Sequence, residues 1–163
     1  DLFTLPVPTV CAISGHAIAG GTILALTCDY RFSALENKLM GLNEIKLGVP
    51  VPHLADLMLR FVVAERAATD MVYRGEFLTA AAGRAIGLVD KICSPDTLEK
   101  YSLEKVLELA ALPAAAFAVI KDSRIAEARL QFEKNHPDKM DAFLDCWFNP
   151  SVRELLAEAA KKF

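Results

Sequence analysis

Two short stretches of this chain hold the residue types that could do chemistry. One is the turn Gly15-His16-Ala17-Ile18-Ala19-Gly20-Gly21, and the other is the single acid of Gly41-Leu42-Asn43-Glu44-Ile45-Lys46-Leu47-Gly48. The first follows an apolar β-type run, Val7 to Ile13, and opens an apolar helical run, Thr22 to Thr27. Backbone N–H groups at such a strand-to-helix turn are free to face a developing negative charge, as an oxyanion hole requires. The second stretch sets one carboxylate among apolar neighbours, where burial lifts its pKa toward the range useful for moving protons. Together the two elements suggest enolate chemistry.

The elements that must position these groups alternate between strand and helix. The patterns predict a strand at Val7–Ile13, a helix from Gly20, strands at Tyr30–Ala34 and Lys38–Gly41, and helices from about His53 and Ala64. Thr79 reads as the N-cap of a helix Ala80–Ile86, Gly87 as the residue that stops it, and Leu88–Ile92 as a last strand. Beyond it strand patterns vanish. Ser94 caps a helix from Pro95 that carries Leu103, Val106, Leu107 and Ala110 on one face and ends at Pro113. Met140, Phe143, Leu144, Trp147 and Phe148 recur at helical spacing, and Val152, Leu155, Leu156 and Ala159 continue after a break at Asn149-Pro150. The expectation is an α/β part over residues 1–93 and two or three amphipathic helices over residues 94–163, packed together.

Composition narrows the classes. At 163 residues and 53% hydrophobic content, the chain suits one folded unit with a real core. A net charge of −3 without a clustered basic segment argues against a nucleic-acid or acidic-membrane partner. Cys11, Cys28, Cys93 and Cys146 lack C-x-x-C spacing, which fits reduced thiols inside a cell better than a disulfide framework or zinc site. Leu2 to Cys28 carries no Asp, Glu, Lys or Arg, yet Pro6, Pro8, Gly15, Gly20 and Gly21 break it, so it reads as a buried strand and helix and not as a membrane span. The chain opens at Asp1, without Met, directly into that buried strand, which leads us to expect missing upstream sequence.

Taken singly, each candidate has a plainer explanation. A Gly-Gly pair usually allows a tight turn, and the dinucleotide and P-loop patterns are absent from the sequence. Glu44 next to Lys46 would commonly be a solvated surface pair. Asp29 and Arg31 look like an ion pair or turn anchors, His16 like a loop hydrogen-bonder, His53 like helix-start structure, and His136 like surface. No metal constellation emerges. The aromatic stripe Phe143, Trp147 and Phe148 reads as core or subunit interface.

In combination they say more. The string from Ala12-Ile13-Ser14-Gly15 through Gly20-Gly21-Thr22 to Cys28-Asp29-Tyr30-Arg31 closely resembles the signature of the enoyl-CoA hydratase/isomerase (crotonase) superfamily. Gly41 to Gly48 resembles that family's second active-site segment, Ala64-Glu65-Arg66-Ala67 its next helix, and Ala85-Ile86-Gly87-Leu88-Val89-Asp90 its closing strand. The resemblance runs in order from about Pro6 to Ile92 and covers the C-terminal part of the usual fold. It implies a superhelix of β-β-α turns, its N-terminal part missing here, followed by a C-terminal helical region that builds trimers or dimers of trimers. It implies an acyl-CoA thioester substrate, coenzyme A being part of the substrate and no separate cofactor, and a role in fatty-acid metabolism. Gly20 matches the position supplying one oxyanion N–H, the other belonging to an upstream segment. Ala19 and Gly21 fall in the substrate-binding part of the same turn, and Glu44 matches a catalytic acid. Cytoplasmic or organelle-matrix localisation follows as an expectation.

One departure refines the reading. Hydratases of the family hold water with two glutamates; the second matches Glu44, whereas the position of the first is Ile23 here. Val49-Pro50-Val51-Pro52-His53 also replaces the glycine-rich stretch that hydratases place after the second acid. A single acid resembles the Δ3-Δ2-enoyl-CoA isomerases. The alternatives are enoyl-CoA hydration or another reaction of this superfamily, and a non-catalytic oligomeric scaffold.

Overall fold

The computed structural model describes residues 2–35 and 37–161, so Asp1 and the end of the expected helical region at 162–163 lie outside the described residues. Strand β1 (Val10–Ile13) is shorter than the sequence pattern suggests. Pro6 and Pro8 lack the N–H that a ladder needs, so pairing starts only beyond them. β2 (Ala17–Ile18) then leads into α1 (Gly20–Leu26). A second pass follows with β3 (Tyr30–Ala34), β4 (Leu39–Gly41), a 3-10 turn Glu44–Leu47, α2 (His53–Val62) and α3 (Glu65–Arg74). A shorter third pass has β5 (Leu78–Thr79), α4 (Ala80–Ala85) and β6 (Lys91–Cys93).

Each pass contributes strands to two separate sheets. β1, β3 and β6 run parallel in one, with Val10 opposite Tyr30 and Phe32 opposite Lys91. β2, β4 and β5 form the other, β2 parallel to β4 and β4 antiparallel to β5. This is the expected coil of β-β-α turns. The expected last strand is displaced: Leu88 and Val89 form no strand and are fully buried, and pairing begins at Lys91. The core between sheets and helices gathers Leu26, Met40, Leu42, Ala55, Met58 and Leu59. Full burial of a leucine such as Leu42 or Leu59 contributes about 2 kcal/mol.

Three helices complete the chain: α5 (Pro95–Ala110), α6 (Ala114–Trp147) and α7 (Pro150–Ala160). α5 lies on β1 and β3, burying Leu98 and Ser102. Leu103 and Leu107, on the apolar face read from the sequence, are 55% and 59% exposed, because contact with the sheet is made one step round the helix, at Leu98 and Ser102. α6 packs along α2, burying Ala128, and continues through Pro137 without ending. It is tied to the α/β part by Lys121, whose Nζ donates to the Val7 carbonyl at 3.0 Å and to Asp29 Oδ2 at 2.8 Å. Among the described residues no helix is long and apolar enough to cross a membrane.

Candidate active site

The parallel pairing of β2 with β4 brings the two chemically suggestive stretches to one end of a sheet. Ala17 lies opposite Met40 and Ile18 opposite Gly41, so both strands exit in the same direction, one into Ala19-Gly20-Gly21 and the other into Leu42-Asn43-Glu44. The Ala19 N–H donates to the Gly41 carbonyl at 2.8 Å and extends the pairing past the strand ends.

Ala19 precedes α1 with φ 49° and ψ −113°, a sparsely populated positive-φ conformation that costs a non-glycine residue about 1–3 kcal/mol. It turns the chain sharply, and the first helical bond runs from Ile23 N–H to the Ala19 carbonyl at 3.0 Å. The N–H groups of Gly20, Gly21 and Thr22 therefore come before the helical ladder starts. Gly20 and Gly21 are exposed, and a Cβ built on Gly20 would meet nothing within 4 Å. The approach to this turn is open.

Thr22 holds the turn in place, and sequence reading passed it over. The residue is 2% exposed, its hydroxyl donates to the Ala17 carbonyl, and its Oγ1 accepts the Gly41 N–H at 2.9 Å. One hydroxyl thus joins β2, α1 and β4. The available signal was a threonine directly behind a glycine pair inside an apolar run. His16 Nδ1 accepts the Leu39 N–H at 3.1 Å, in keeping with its expected loop role.

Glu44 opens the 3-10 turn and is 6% exposed. Its Oε2 is buried without a hydrogen-bond partner, as is the neighbouring Asn43 Oδ1. Burial pushes the Glu44 carboxyl above its ordinary value, only partly opposed by a hydrogen bond from its own backbone. Lys46 does not neutralise it; its Nζ pairs with Glu76 at 2.9 Å on the exposed side. Two glycines with positive φ shape the turn. Gly48 (φ 77°) ends it, and Gly75 (φ 59°) lets the end of α3 approach so closely that a Cβ would stand 2.8 Å from Ile45 Cγ2. Beside the turn opens a cleft of about 400 Å³, walled by Ile45, Val49, Val72, Tyr73 and Phe143.

The other candidates have structural tasks. Asp29 and Arg31 do not pair with each other: Asp29 accepts from Thr9 and Lys121, whereas Arg31 binds Asp90 at 3.1 Å and the Leu88 carbonyl at 2.9 Å. His53 starts α2 and stacks on Phe132. His136, expected at the surface, is half-buried against the same ring at 4.4 Å. Among the described residues no group of three or more His, Cys, Asp or Glu could hold a metal ion. Phe143 and Trp147 stack on each other, while Phe148 is 67% exposed.

Comparison with known proteins places this arrangement. The profile described as "Enoyl-CoA hydratase/isomerase" matches residues 1–154. A putative enoyl-CoA hydratase of Thermus thermophilus is 40% identical over 94 residues, covering 58% of this chain and 36% of the relative. The enoyl-CoA isomerase/hydratase fer4 of Mycosarcoma maydis is 31% identical over 130 residues, 77% of this chain and 47% of the relative. The crystal structure of human mitochondrial delta3-delta2-enoyl-CoA isomerase superposes with a TM-score of 0.93 at 25% identity, over 99% of this chain and 63% of that one. The chain thus spans less than half the length of these two sequence relatives. It belongs to the enoyl-CoA hydratase/isomerase family.

Proposed function

We propose that this protein isomerises 3-enoyl-CoA to 2-enoyl-CoA, with Glu44 as the single base and acid. The observation that carries this reading is the buried Glu44 carboxylate with an unpartnered oxygen, at the end of the sheet where the Gly20 turn also emerges. Glu44 takes a proton from C2 of the thioester. The C2–H electron pair moves into a dienolate whose charge rests on the thioester oxygen. The protonated Glu44 then returns the proton at C4, and the double bond settles between C2 and C3. Proton number and electron count are conserved, and the step calls on no redox group or metal.

The Gly20 N–H is assigned to the dienolate oxygen, with Ala19 and Gly21 shaping the substrate-binding turn around it. A well-placed donor of this kind contributes about 3 kcal/mol to such a barrier. Ile23 supports isomerisation over hydration. It stands where the resemblance places the hydratases' first glutamate, and it packs partly buried against the apolar core, so that position supplies no second carboxylate to hold water. We further propose a homo-oligomer, a trimer or dimer of trimers. The exposed Leu103, Leu107, Leu144 and Phe148 on the C-terminal helices support it, and sedimentation of the natural-length protein tests it.

The deciding experiment supplies the natural-length protein with a medium-chain 3-enoyl-CoA and follows the rise of conjugated-thioester absorbance. It also supplies the 2-enoyl-CoA and follows hydration. Isomerisation that is lost in Glu44→Gln supports the proposal. Hydration as fast as isomerisation, or CoA-ester binding without turnover, overturns it in favour of a hydratase or a scaffold.

A further inference from the structure

The turn that carries Glu44 is gripped from two sides, and a positive-φ glycine marks each contact. On one side Gly75, at the end of α3, comes up against Ile45 and Asn43. On the other, Gly48 (φ 77°) lies under the first turns of α7. A Cβ built on Gly48 would stand 2.7 Å from Val152 Cγ2, 3.6 Å from Val152 Cβ and 3.6 Å from Leu155 Cδ1. α7 packs on this turn and on α6. Val152 is the one buried residue of α7, at 8% exposed, whereas Leu155 is 49% exposed. The contact of α7 with the turn therefore centres on one side chain, seated where Gly48 has none.

The residue beneath Val152 is where the turn closes. The Gly48 N–H donates to the Ile45 carbonyl at 3.2 Å, and the next N–H, that of Val49, donates to the Glu44 carbonyl at 3.1 Å. Val152 is itself held in place by the corner between α6 and α7. The Phe148 N–H donates to the Leu144 carbonyl at 2.9 Å, and Asn149 Oδ1 accepts the Ser151 N–H at 3.1 Å and the Ser151 hydroxyl at 2.8 Å. Pro150 starts α7 with its φ already set for a helix, and the Arg153 guanidinium lies 5.6 Å from the centre of the Trp147 ring.

We propose that Val152 is a positioning residue for Glu44: its isopropyl group, seated on Gly48, holds the 3-10 turn so that the carboxyl stays at the end of the sheet beside the Gly20 turn. The proposal rests on the reading of Glu44 as the proton carrier. Val152 acts through the backbone of the turn and not by contact with reacting atoms. The last helix of the chain thereby takes part in setting the geometry of proton transfer. Removing the two methyls opens space directly over Gly48, and a reacting carboxylate that drifts loses rate before the fold loses structure.

The test uses the natural-length protein, with backbone hydrogen exchange read by mass spectrometry separately over residues 43–50 and 150–160. In Val152→Ala, exchange should rise across 43–50, and kcat should fall about 10- to 100-fold with KM little changed. Val152→Thr keeps the branched shape over Gly48 and should retain the protection and most of kcat. Gly48→Ala drives its methyl into Val152 Cγ2. In the Val152→Ala background the nearest atoms would stand at 3.6 Å, so the double variant should exchange more slowly over 43–50 than Gly48→Ala alone. Exchange that rises only over 150–160 in Val152→Ala, with the Glu44 segment unchanged, overturns the proposal. So does a fall in kcat that Val152→Thr shares in full. A wild type that performs no isomerisation counts against the isomerase reading, and the exchange comparison then decides the role of Val152 apart from it.

Discussion

The Thr22 hydroxyl accepts the Gly41 N–H at 2.9 Å, a buried bond that fixes the start of α1 against the strand leading to Glu44. Thr22→Val keeps the shape and removes that acceptor, leaving a buried N–H unpaired at a cost of about 1–3 kcal/mol. Urea melts should register that loss, and Thr22→Ser should recover most of it. Turnover should fall further than stability alone explains, because the Gly20 turn and Glu44 lose their common tether. Equal kcat in folded Thr22→Val and wild type would separate the hydroxyl from catalysis.

Glu44 carries a pH signature. Burial raises its pKa above the ordinary 4.5, so the folded state binds this proton more tightly than the unfolded chain does. Below the ordinary value both states are protonated and the group is neutral in effect. As pH rises from there through the raised folded value, the buried carboxylate costs the fold an increasing amount, and the cost is constant above it. Glu44→Gln should therefore be the more stable protein at pH 7 and no more stable at pH 4. Thermal melts at both values check this.

In the proposed isomerisation the same group sets the rate. A base must be ionised to act, so isomerase kcat/KM should fall on the acidic side with an apparent pKa above 4.5. Glu44→Gln should lower kcat by at least about 100-fold with the fold intact. An acid limb at the ordinary carboxylate value would show that Glu44 is solvated in the working enzyme, contrary to its burial here.

Much of this site was legible in the sequence, for reasons visible at particular residues. The Gly20-Gly21 pair between apolar runs marks a strand-to-helix turn, and Asn43-Glu44 follows a strand that ends in glycine. Both signals are local. What escaped was non-local or too short to have a period. β2 and β5 are two residues each and show no alternation. Thr22 reads as one polar residue in an apolar helix until β4 is set beside it. Leucine spacing marks one apolar face of α5, but the sheet beneath buries Leu98 and Ser102.

Gly75 should tolerate no side chain. Its φ of 59° already disfavours other residues, and an added Cβ would approach Ile45 Cγ2 to 2.8 Å and Asn43 Cα to 3.3 Å. Gly75→Ala forces either α3 or the Glu44 turn to move, at a cost of about 1–3 kcal/mol. Its kcat should fall with little change in KM, since in the proposed mechanism the displaced group acts in proton transfer and not in holding coenzyme A. Circular dichroism melts and steady-state kinetics on the same preparation distinguish this outcome from simple unfolding.

Lys121 offers the sharpest test of how the C-terminal helices are attached. Its side chain is 6% exposed, and its ammonium bonds to Asp29 Oδ2 at 2.8 Å and the Val7 carbonyl at 3.0 Å. Asp29 in turn accepts the Thr9 N–H at 2.8 Å and its hydroxyl at 2.9 Å, so one charge pair links α6, the entry to β1 and the entry to β3. Lys121→Met keeps the apolar stem and removes the charge. It leaves Asp29 with only its Thr9 partners and the Val7 carbonyl without its donor, a loss of about 3 kcal/mol. Asp29→Asn alone should cost a similar amount by stranding a nearly buried ammonium. The double variant strands neither charge, so its loss should be clearly smaller than the sum of the two. Additive losses in a double-mutant cycle would mean that the pair does not act as a unit and that apolar packing of α6 on α2 carries the attachment.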